Sequence, residues 1–321
     1  MRFHRVGAVG AVALAMAVLA GACGSGDSTK SSKSTTSAAP SVGTSTTTAK
    51  VKPPITIGAF DFGESEILAN IYAGVLKKEG YPVTVKPKLG KREVVEPALQ
   101  SGEIDMVPEY AGTVLEFLDK NAGQASGDLD ATIGKLRGYY QALGVTVLDP
   151  SPAADQNAFG VTKATADQYH LQKTSDLAPV AAKFVLGGPP ECPTRPFCQA
   201  GLEKVYGLKF KSFKALDVGG PLTKSALDSG AIQIGLILSS DGSIPVKGYV
   251  VLEDDKHLQT VDNVVPVVRT VKVDPLLQAA VNRASAALTT AKLVELNKAV
   301  DVDKSDPADV AAKFLRDNNL A

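Results

Sequence analysis

Tryptophan is absent from this 321-residue chain, and aromatic residues make up only 6% of it. That weighs against a function that needs a large aromatic surface. Net charge is missing as well, because 34 Lys and Arg balance 34 Asp and Glu. Such a chain exerts no long-range pull on nucleic acid or on an anionic membrane, and no basic stripe is present. Histidine is scarce. His4 lies near the N-terminus, while His170 and His257 stand alone in polar stretches. No HExxH, GxSxG, phosphate loop or GxGxxG occurs in a strand–turn–helix setting. The adjacent acids Asp254 and Asp255 read as a solvated turn rather than an acid–base pair. The expectation is a protein that is not an enzyme and carries no cofactor and no metal.

What is present begins at the N-terminus. Arg2 and Arg5 precede an uncharged apolar run from Val6 to Ala20, which ends in Gly21-Ala22-Cys23. A basic flank, a short apolar stretch and a small-residue exit form an export signal over residues 1–22. The run is short for a membrane span, which needs about 20 residues. "LAGAC" resembles the lipobox of bacterial lipoproteins, in which the signal is cut before the cysteine and its thiol is acylated. That resemblance makes Cys23 the lipidation site; ordinary cleavage nearby is the other reading. Over residues 24–52, 15 of 29 residues are Ser or Thr. Such a segment cannot bury enough apolar surface to offset its ordering entropy, so residues 23–52 read as a tether. The expected location is the extracytoplasmic face of the cell membrane, held by lipid. Cys192 and Cys198 flank the Pro-rich "ECPTRPFC". In an exported protein a close pair reads as a disulfide, and two ligands are too few for zinc.

At 44% hydrophobic the chain can bury a core. From Pro54 onward, strand-like runs such as "PITIGAF", "IDMVPEY" and "VTVLDPS" alternate with helical stretches. Residues 64–79 carry a stripe of Ile67, Leu68, Ile71, Tyr72, Val75 and Leu76. The second half repeats the style with "NAFGVTK", "FVLGG", "FKSFKAL", "AIQIGLIL" and "GYVVLED". Asp274-Pro275 and Asp306-Pro307 each announce a helix, with an acidic cap and proline at the first helical position. Alternating strands and helices predict an α/β fold with a parallel or mixed sheet. Hinge passages near Pro150–Asp155 and Val246–Asp255 divide it into lobe I, residues 54–150 plus 255–321, and lobe II, residues 156–250. No fixed-period repeat is present.

"IDMVPEYAGT" resembles the "DLxPEYxGT" segment of glycine betaine/choline-type substrate-binding proteins of ABC importers, the osmoprotectant-binding ProX/OpuC-like lipoproteins. "ITIGAFDFGESEILANIYAGVL", "GLEKVYGLKF", "ALDSGAIQIGLILSSDGSI" and "VVLEDDKH…NVVPVVR" resemble further family segments, in order, over residues 54–321. The resemblance implies a two-lobed periplasmic-binding-protein-like fold of type II, its lobes joined by a two-strand hinge and closing around a small-molecule solute. It implies an ABC permease with its ATPase as partner. In these relatives a cage of tyrosines holds a quaternary ammonium by cation–π attraction, about 0.5–2 kcal/mol per well-placed ring. Tyr110 matches one cage tyrosine, Thr113 a hydroxyl donor and Arg195 the carboxylate-binding arginine. Three other cage positions fall on Asn157, Lys224 and Leu238, and Phe60 stands where a polar contact residue is usual.

The ligand set read from the sequence is therefore Asp61, Tyr110, Thr113, Asn157, Arg195 and Lys224, with Ser239, Ser240 and Asp241 nearby. Bland readings stand beside these. Tyr110 serves equally as a half-buried core tyrosine, Thr113 as a helix cap, Arg195 as a brace for the cysteine loop, Asp61 as a turn residue and Lys224 as a solvated helix lysine. The amide, hydroxyl and charged groups would also suit a polyol, a sugar-like or polyphenolic solute, or an amino-acid derivative. A sensory or surface lipoprotein on the same fold is a further reading.

Overall fold

A computed structural model describes residues 52–120 and 122–321. The signal segment 1–22, Cys23 and nearly all of the tether lie outside the described residues.

The first sheet uses β1 (Ile55–Gly58), β2 (Val83–Lys86), β3 (Met106–Tyr110), β4 (Val145–Val147) and, from much later in the chain, β10 (Val264–Arg269). Its order is β2-β1-β3-β10-β4. Strands β1, β2 and β3 are parallel, while β10 runs antiparallel to β3 and β4. The second sheet uses β5 (Asn157–Thr162), β6 (Val185–Gly188), β7 (Ser212–Ala215), β8 (Ile234–Leu238) and β9 (Tyr249–Leu252), in the order β7-β6-β8-β5-β9. Here β5 is the antiparallel strand. Both sheets thus share one pattern, three parallel strands with a reversed strand inserted fourth.

Around the first sheet lie α1 (Gly63–Lys78), α2 (Arg92–Ser101), α3 (Ala111–Leu118) and α4 (Leu129–Ala142). The second sheet carries α5 (Lys163–Tyr169), α6 (Gln199–Tyr206), α7 (Pro221–Asp228) and the single turn α8 (Ile244–Lys247). The chain then returns to the first sheet and ends in α9 (Pro275–Ala287), α10 (Thr290–Asn297), a wide π turn (Lys298–Val302) and α11 (Pro307–Asp317). Each sheet is buried on both faces. The α1 stripe packs with α9, α10 and α11 into one core of lobe I, and α2, α3 and α4 build the other. Two further cores cover the faces of the second sheet. Helix starts follow local chemistry. Asp274 accepts from the Leu276 and Leu277 N–H groups at 2.9 Å, and Asp306 accepts from Ala308 N–H at 2.8 Å.

Two passages join the sheets, between β4 and β5 and between β9 and β10. They pair with each other through an antiparallel bridge of Ala154 and Asn263, and Asp155 N–H donates to the Asp262 carbonyl at 3.1 Å. The second passage runs later than the sequence-based boundary of Val246–Asp255. Strand β9 continues to Leu252, Asp254 accepts from the Leu258 and Gln259 N–H groups, and Asp255 holds Ser175, so these residues stay with lobe II. The change of lobe falls near Thr260–Asn263. Gly112, at the start of α3, lies so close to this passage that a Cβ there would run into the Val261 carbonyl. Glycine is required by the approach of two backbones. Cys192 and Cys198 form a disulfide whose sulfurs are buried against lobe II.

Candidate functional site

Strand β3 delivers the first side chains. Pro108 faces Pro266 across the β3–β10 pair. Tyr110, two residues on, lies in the same class of pairs, and its N–H is taken not by β10 but by the Glu109 carboxylate at 3.0 Å. These are therefore the non-hydrogen-bonded pairs, and neither proline removes a bond between the two strands. Glu109 is fully buried and also receives a two-pronged contact from Arg92, at 2.9 and 2.8 Å. Beside it Glu96 accepts from the Tyr140 hydroxyl at 2.8 Å. Desolvation and the neighbouring Glu109 raise the Glu96 carboxyl well above its usual range, so it stays protonated. Its second oxygen has no hydrogen-bond partner among the described residues.

This buried network supports an aromatic wall. Beyond β1 the chain turns through Phe60–Phe62 into α1, and Ser65 Oγ accepts from Phe60 N–H at 2.9 Å. The Phe60 and Phe62 rings stack with centroids 5.8 Å apart and 2° between planes. Phe62 lies 6.1 Å from the Tyr110 ring at 36°. The Arg92 guanidinium sits 5.4 Å over Phe60. Phe62 stays 44% exposed, a large apolar ring left open beside a buried tyrosine.

Polar groups from both lobes meet behind this wall. The Tyr110 hydroxyl donates to Glu64 Oε1 at 2.6 Å. Asn297, at the end of α10, donates through Nδ2 to the other Glu64 oxygen and to the Ser240 carbonyl of lobe II, the latter at 2.9 Å. Ser240 Oγ in turn donates to Asp155 at 2.6 Å. Gly242 lies against the backbone of Asn297 and Lys298 with no room for a Cβ, so the loop after β8 seats closely on the C-terminal helices. Thr113 meets Asp262 twice: its N–H donates to Oδ1 at 3.0 Å and its hydroxyl to Oδ2. Burial and the Asp155 charge push the Glu64 carboxyl well up. Asp155 is raised by burial and by Asp241, against the Ser240 hydrogen bonds. Asp262 is pushed up to about 7 by desolvation, which outweighs its bonds from Thr113 and the pull of Arg92. Asp155 and Asp262 are half-buried as whole residues.

The sequence-predicted residues divide. Tyr110 and Thr113 join this cluster. Asn157 opens β5 opposite Leu238. Lys224 lies on α7 and is held by Asp241, with contacts of 3.0 and 2.7 Å. Asp61 lines a neighbouring recess of about 420 Å³ with Phe62, Lys88 and Asp301. Arg195 pairs with Glu191 at 3.1 Å on the disulfide loop and is largely exposed; nothing joins it to the cluster. A larger recess of about 790 Å³ lies between α10 and α11, lined by Lys292, Lys313 and Phe314, and holds none of the predicted residues. Asp262 and Asn297 belong to the cluster and carry no local sequence signal. Among the described residues no group of His, Cys, Asp and Glu is arranged to hold a metal, and no helix is long and apolar enough to cross a membrane.

The model of the substrate-binding domain of the ABC-type glycine betaine transport system matches residues 53–317. The chain belongs to this family. It is 30% identical to a glycine-betaine-binding protein of Pseudomonas aeruginosa over 280 residues, which is 82% of this chain and 88% of that one. It is 26% identical over 274 residues to the carnitine transport binding protein OpuCC of Listeria monocytogenes, covering 84% and 88% of the two chains. The structure superposes on a solved glycine betaine/carnitine/choline ABC transporter structure with a TM-score of 0.76 at 26% identity, over 83% of this chain and 99% of the other. Apo YehZ from Escherichia coli gives a TM-score of 0.73 at 26% identity, over 84% and 99%. The protein is therefore the solute-binding component of an ABC transport system, of an extracytoplasmic family whose members bind and do not catalyse.

Proposed function

We propose that the cleft between the lobes captures a solute bearing a quaternary ammonium group, and that a lipid on Cys23 holds the protein at the outer face of the membrane beside its permease. The observation that carries the solute reading is the contiguous set of Phe60, Phe62 and Tyr110 rings, in which Phe62 is the open face and the other two are buried behind it. The family replaces water around such a cation with ring faces, and two of the rings here are phenylalanines that the tyrosine pattern does not reveal. Phe62 takes up part of the work of the unmatched cage positions Asn157, Lys224 and Leu238, and the buried Phe60, stacked on it and covered by Arg92, backs its ring. The lobe II wall then supplies Asn157, the Lys224–Asp241 pair and Ser240. Closure about the paired passages brings the two walls together, and the free energy of solute contact favours that closed state.

Tyr110→Ala is expected to weaken binding of the quaternary-ammonium solute about tenfold or more, by removing both ring and hydroxyl. Tyr110→Phe keeps the ring and should lose less. Equal affinity in wild type and Tyr110→Ala, measured by calorimetric titration, would remove Tyr110 from the site. For the anchor, Cys23→Ala is expected to move the protein from the membrane to the soluble exported fraction. Retention in the membrane would refute lipid attachment at Cys23.

A further inference from the structure

The hydrogen bonds of the two passages change lobe within a single residue. On the first, Ala154 N–H donates to Thr290 Oγ1 of lobe I at 3.0 Å. Ser239 Oγ of lobe II donates to the Ala154 carbonyl at 3.2 Å and accepts from Gln156 N–H at 3.0 Å. The pivot of this passage is therefore Asp155. On the second, Gln259 N–H donates to Asp254 at 2.7 Å and its Nε2 to the Phe197 carbonyl at 3.0 Å, both in lobe II. Val261 N–H donates to the Ser126 carbonyl of lobe I at 2.9 Å, which makes Thr260 the pivot. Two such pivots leave lobe II free to swing about the line that joins them. A third contact restricts that swing. Asn297 closes α10 and is only 4% exposed, and its Nδ2 donates to groups of different lobes, Glu64 of lobe I and the Ser240 carbonyl of lobe II, the latter at 2.9 Å. Two residues beyond Ser240, Gly242 presses on the backbone of Asn297 and Lys298, where α10 gives way to the π turn.

We propose that the loop after β8, seated on the end of α10, is a third and non-covalent element of the hinge, and that Asn297 is the positioning residue that fixes the angle of lobe II and passes it to Tyr110 through Glu64. The link to the solute rests on the reading of Tyr110 given above; the hinge element stands on the interlobe contacts alone. Hydrogen bonds weaken steeply away from their preferred length and angle, so one amide serves both lobes over a narrow range of lobe separations. Glycine at 242 lets two backbones meet where any Cβ would force them apart, so the seat is set from the lobe II side as well. Glu64 Oε1 accepts from the Tyr110 hydroxyl at 2.6 Å, and Ser240 Oγ reaches Asp155, the first pivot, at 2.6 Å. Tyr110, Glu64, Asn297, Ser240 and Asp155 thus form one unbroken run of hydrogen bonds from an aromatic ring of the site to the hinge.

Spin labels at the exposed Gln100 of lobe I and Lys209 of lobe II, in a Cys23→Ala background, read the distance between the lobes by pulsed electron spin resonance. In the solute-free protein Asn297→Ala should broaden the distance distribution. Gly242→Ala should shift it, by displacing the seat while the Asn297 side chain stays. Calorimetric titration with glycine betaine and with choline should show affinity about tenfold lower in Asn297→Ala. Tyr110→Phe and Asn297→Ala together should cost less than the sum of the two, because both act through Glu64. Thermal melting confirms that each variant folds. Distances equal to wild type in both variants would overturn the third hinge element even if melting temperature fell, because a merely structural side chain leaves the lobe angle alone. Strict additivity of the two substitutions would overturn the link to Tyr110. A wild type that binds neither compound would overturn the quaternary-ammonium reading and with it the solute link, while the distances still decide the hinge.

Discussion

Arg92→Ala is expected to lower the melting temperature by roughly 10 °C and to weaken solute binding at the same time. Glu109 is fully buried, and Arg92 is its counter-ion through two hydrogen bonds. Removing one partner of a buried pair strands the other charge, which costs about 3–5 kcal/mol. For a domain of this size, roughly 2–4 °C of melting temperature follows each kcal/mol. Binding suffers because the same residues build the wall. Arg92 covers Phe60, and Glu109 holds the Tyr110 N–H. Arg92→Lys keeps the charge and loses the two-pronged contact, so it should fall between wild type and alanine. Calorimetric melting of the three proteins measures the first effect and titration the second. A melting temperature unchanged by alanine would show that Glu109 is satisfied without Arg92.

Asp262→Asn is expected to stabilise the solute-free protein near neutral pH. Below about pH 3.8 the Asp262 carboxyl is protonated in both the folded and unfolded chain. As pH rises, the unfolded chain releases the proton first, while the folded chain holds it until about pH 7. The native state binds more protons across that window, so stability falls as pH rises from about 4 to 7. Thr113 on α3 and Arg92 on α2 favour the charged form, and Asp155 on the first passage opposes it; desolvation outweighs the first two. The full shift would correspond to ~4 kcal/mol. Solvent access to a half-buried carboxyl reduces this to about 1–2 kcal/mol. The asparagine variant lacks the slope that Asp262 contributes, so it should melt a few degrees higher than wild type at pH 7 and equally at pH 4. A variant that melts lower at pH 7 would mean that the charged form is well solvated or paired.

Much of the fold is written locally. The α1 stripe from Ile67 to Leu76 is the buried face of that helix. The Asp-Pro pairs at 274 and 306 start helices because the carboxylate takes N–H groups that no carbonyl can reach. The similarity of the two sheets is not legible as a repeat, because the reversed strand enters first in lobe II, as β5, and last in lobe I, as β10. The site divides by the same rule. Tyr110 and Thr113 stand in a short family-like segment and arrive together on one strand end. Asn297 reaches Glu64 across 233 residues of chain, and Thr113 reaches Asp262 across 149. No spacing in the sequence announces such contacts; packing of the C-terminal helices and pairing of the passages create them. The second passage was misplaced for a related reason. Asp254 looks like an ordinary turn acid, but it binds Tyr206 and two backbone N–H groups of lobe II and so holds its segment there.

Thermal stabilisation by a panel of solutes tests most directly whether this cleft receives a quaternary ammonium. The purified protein would be melted with choline, carnitine and glycine betaine, and in parallel with polyols, sugars and polyphenols. A ligand at 100 times its dissociation constant adds about 2.7 kcal/mol, which moves the melting point by several degrees. A shift from at least one quaternary-ammonium compound, lost in Tyr110→Ala, is the expected result. A shift from another class with none from any quaternary ammonium would mean that the family's fold is kept here while its aromatic wall serves a different solute.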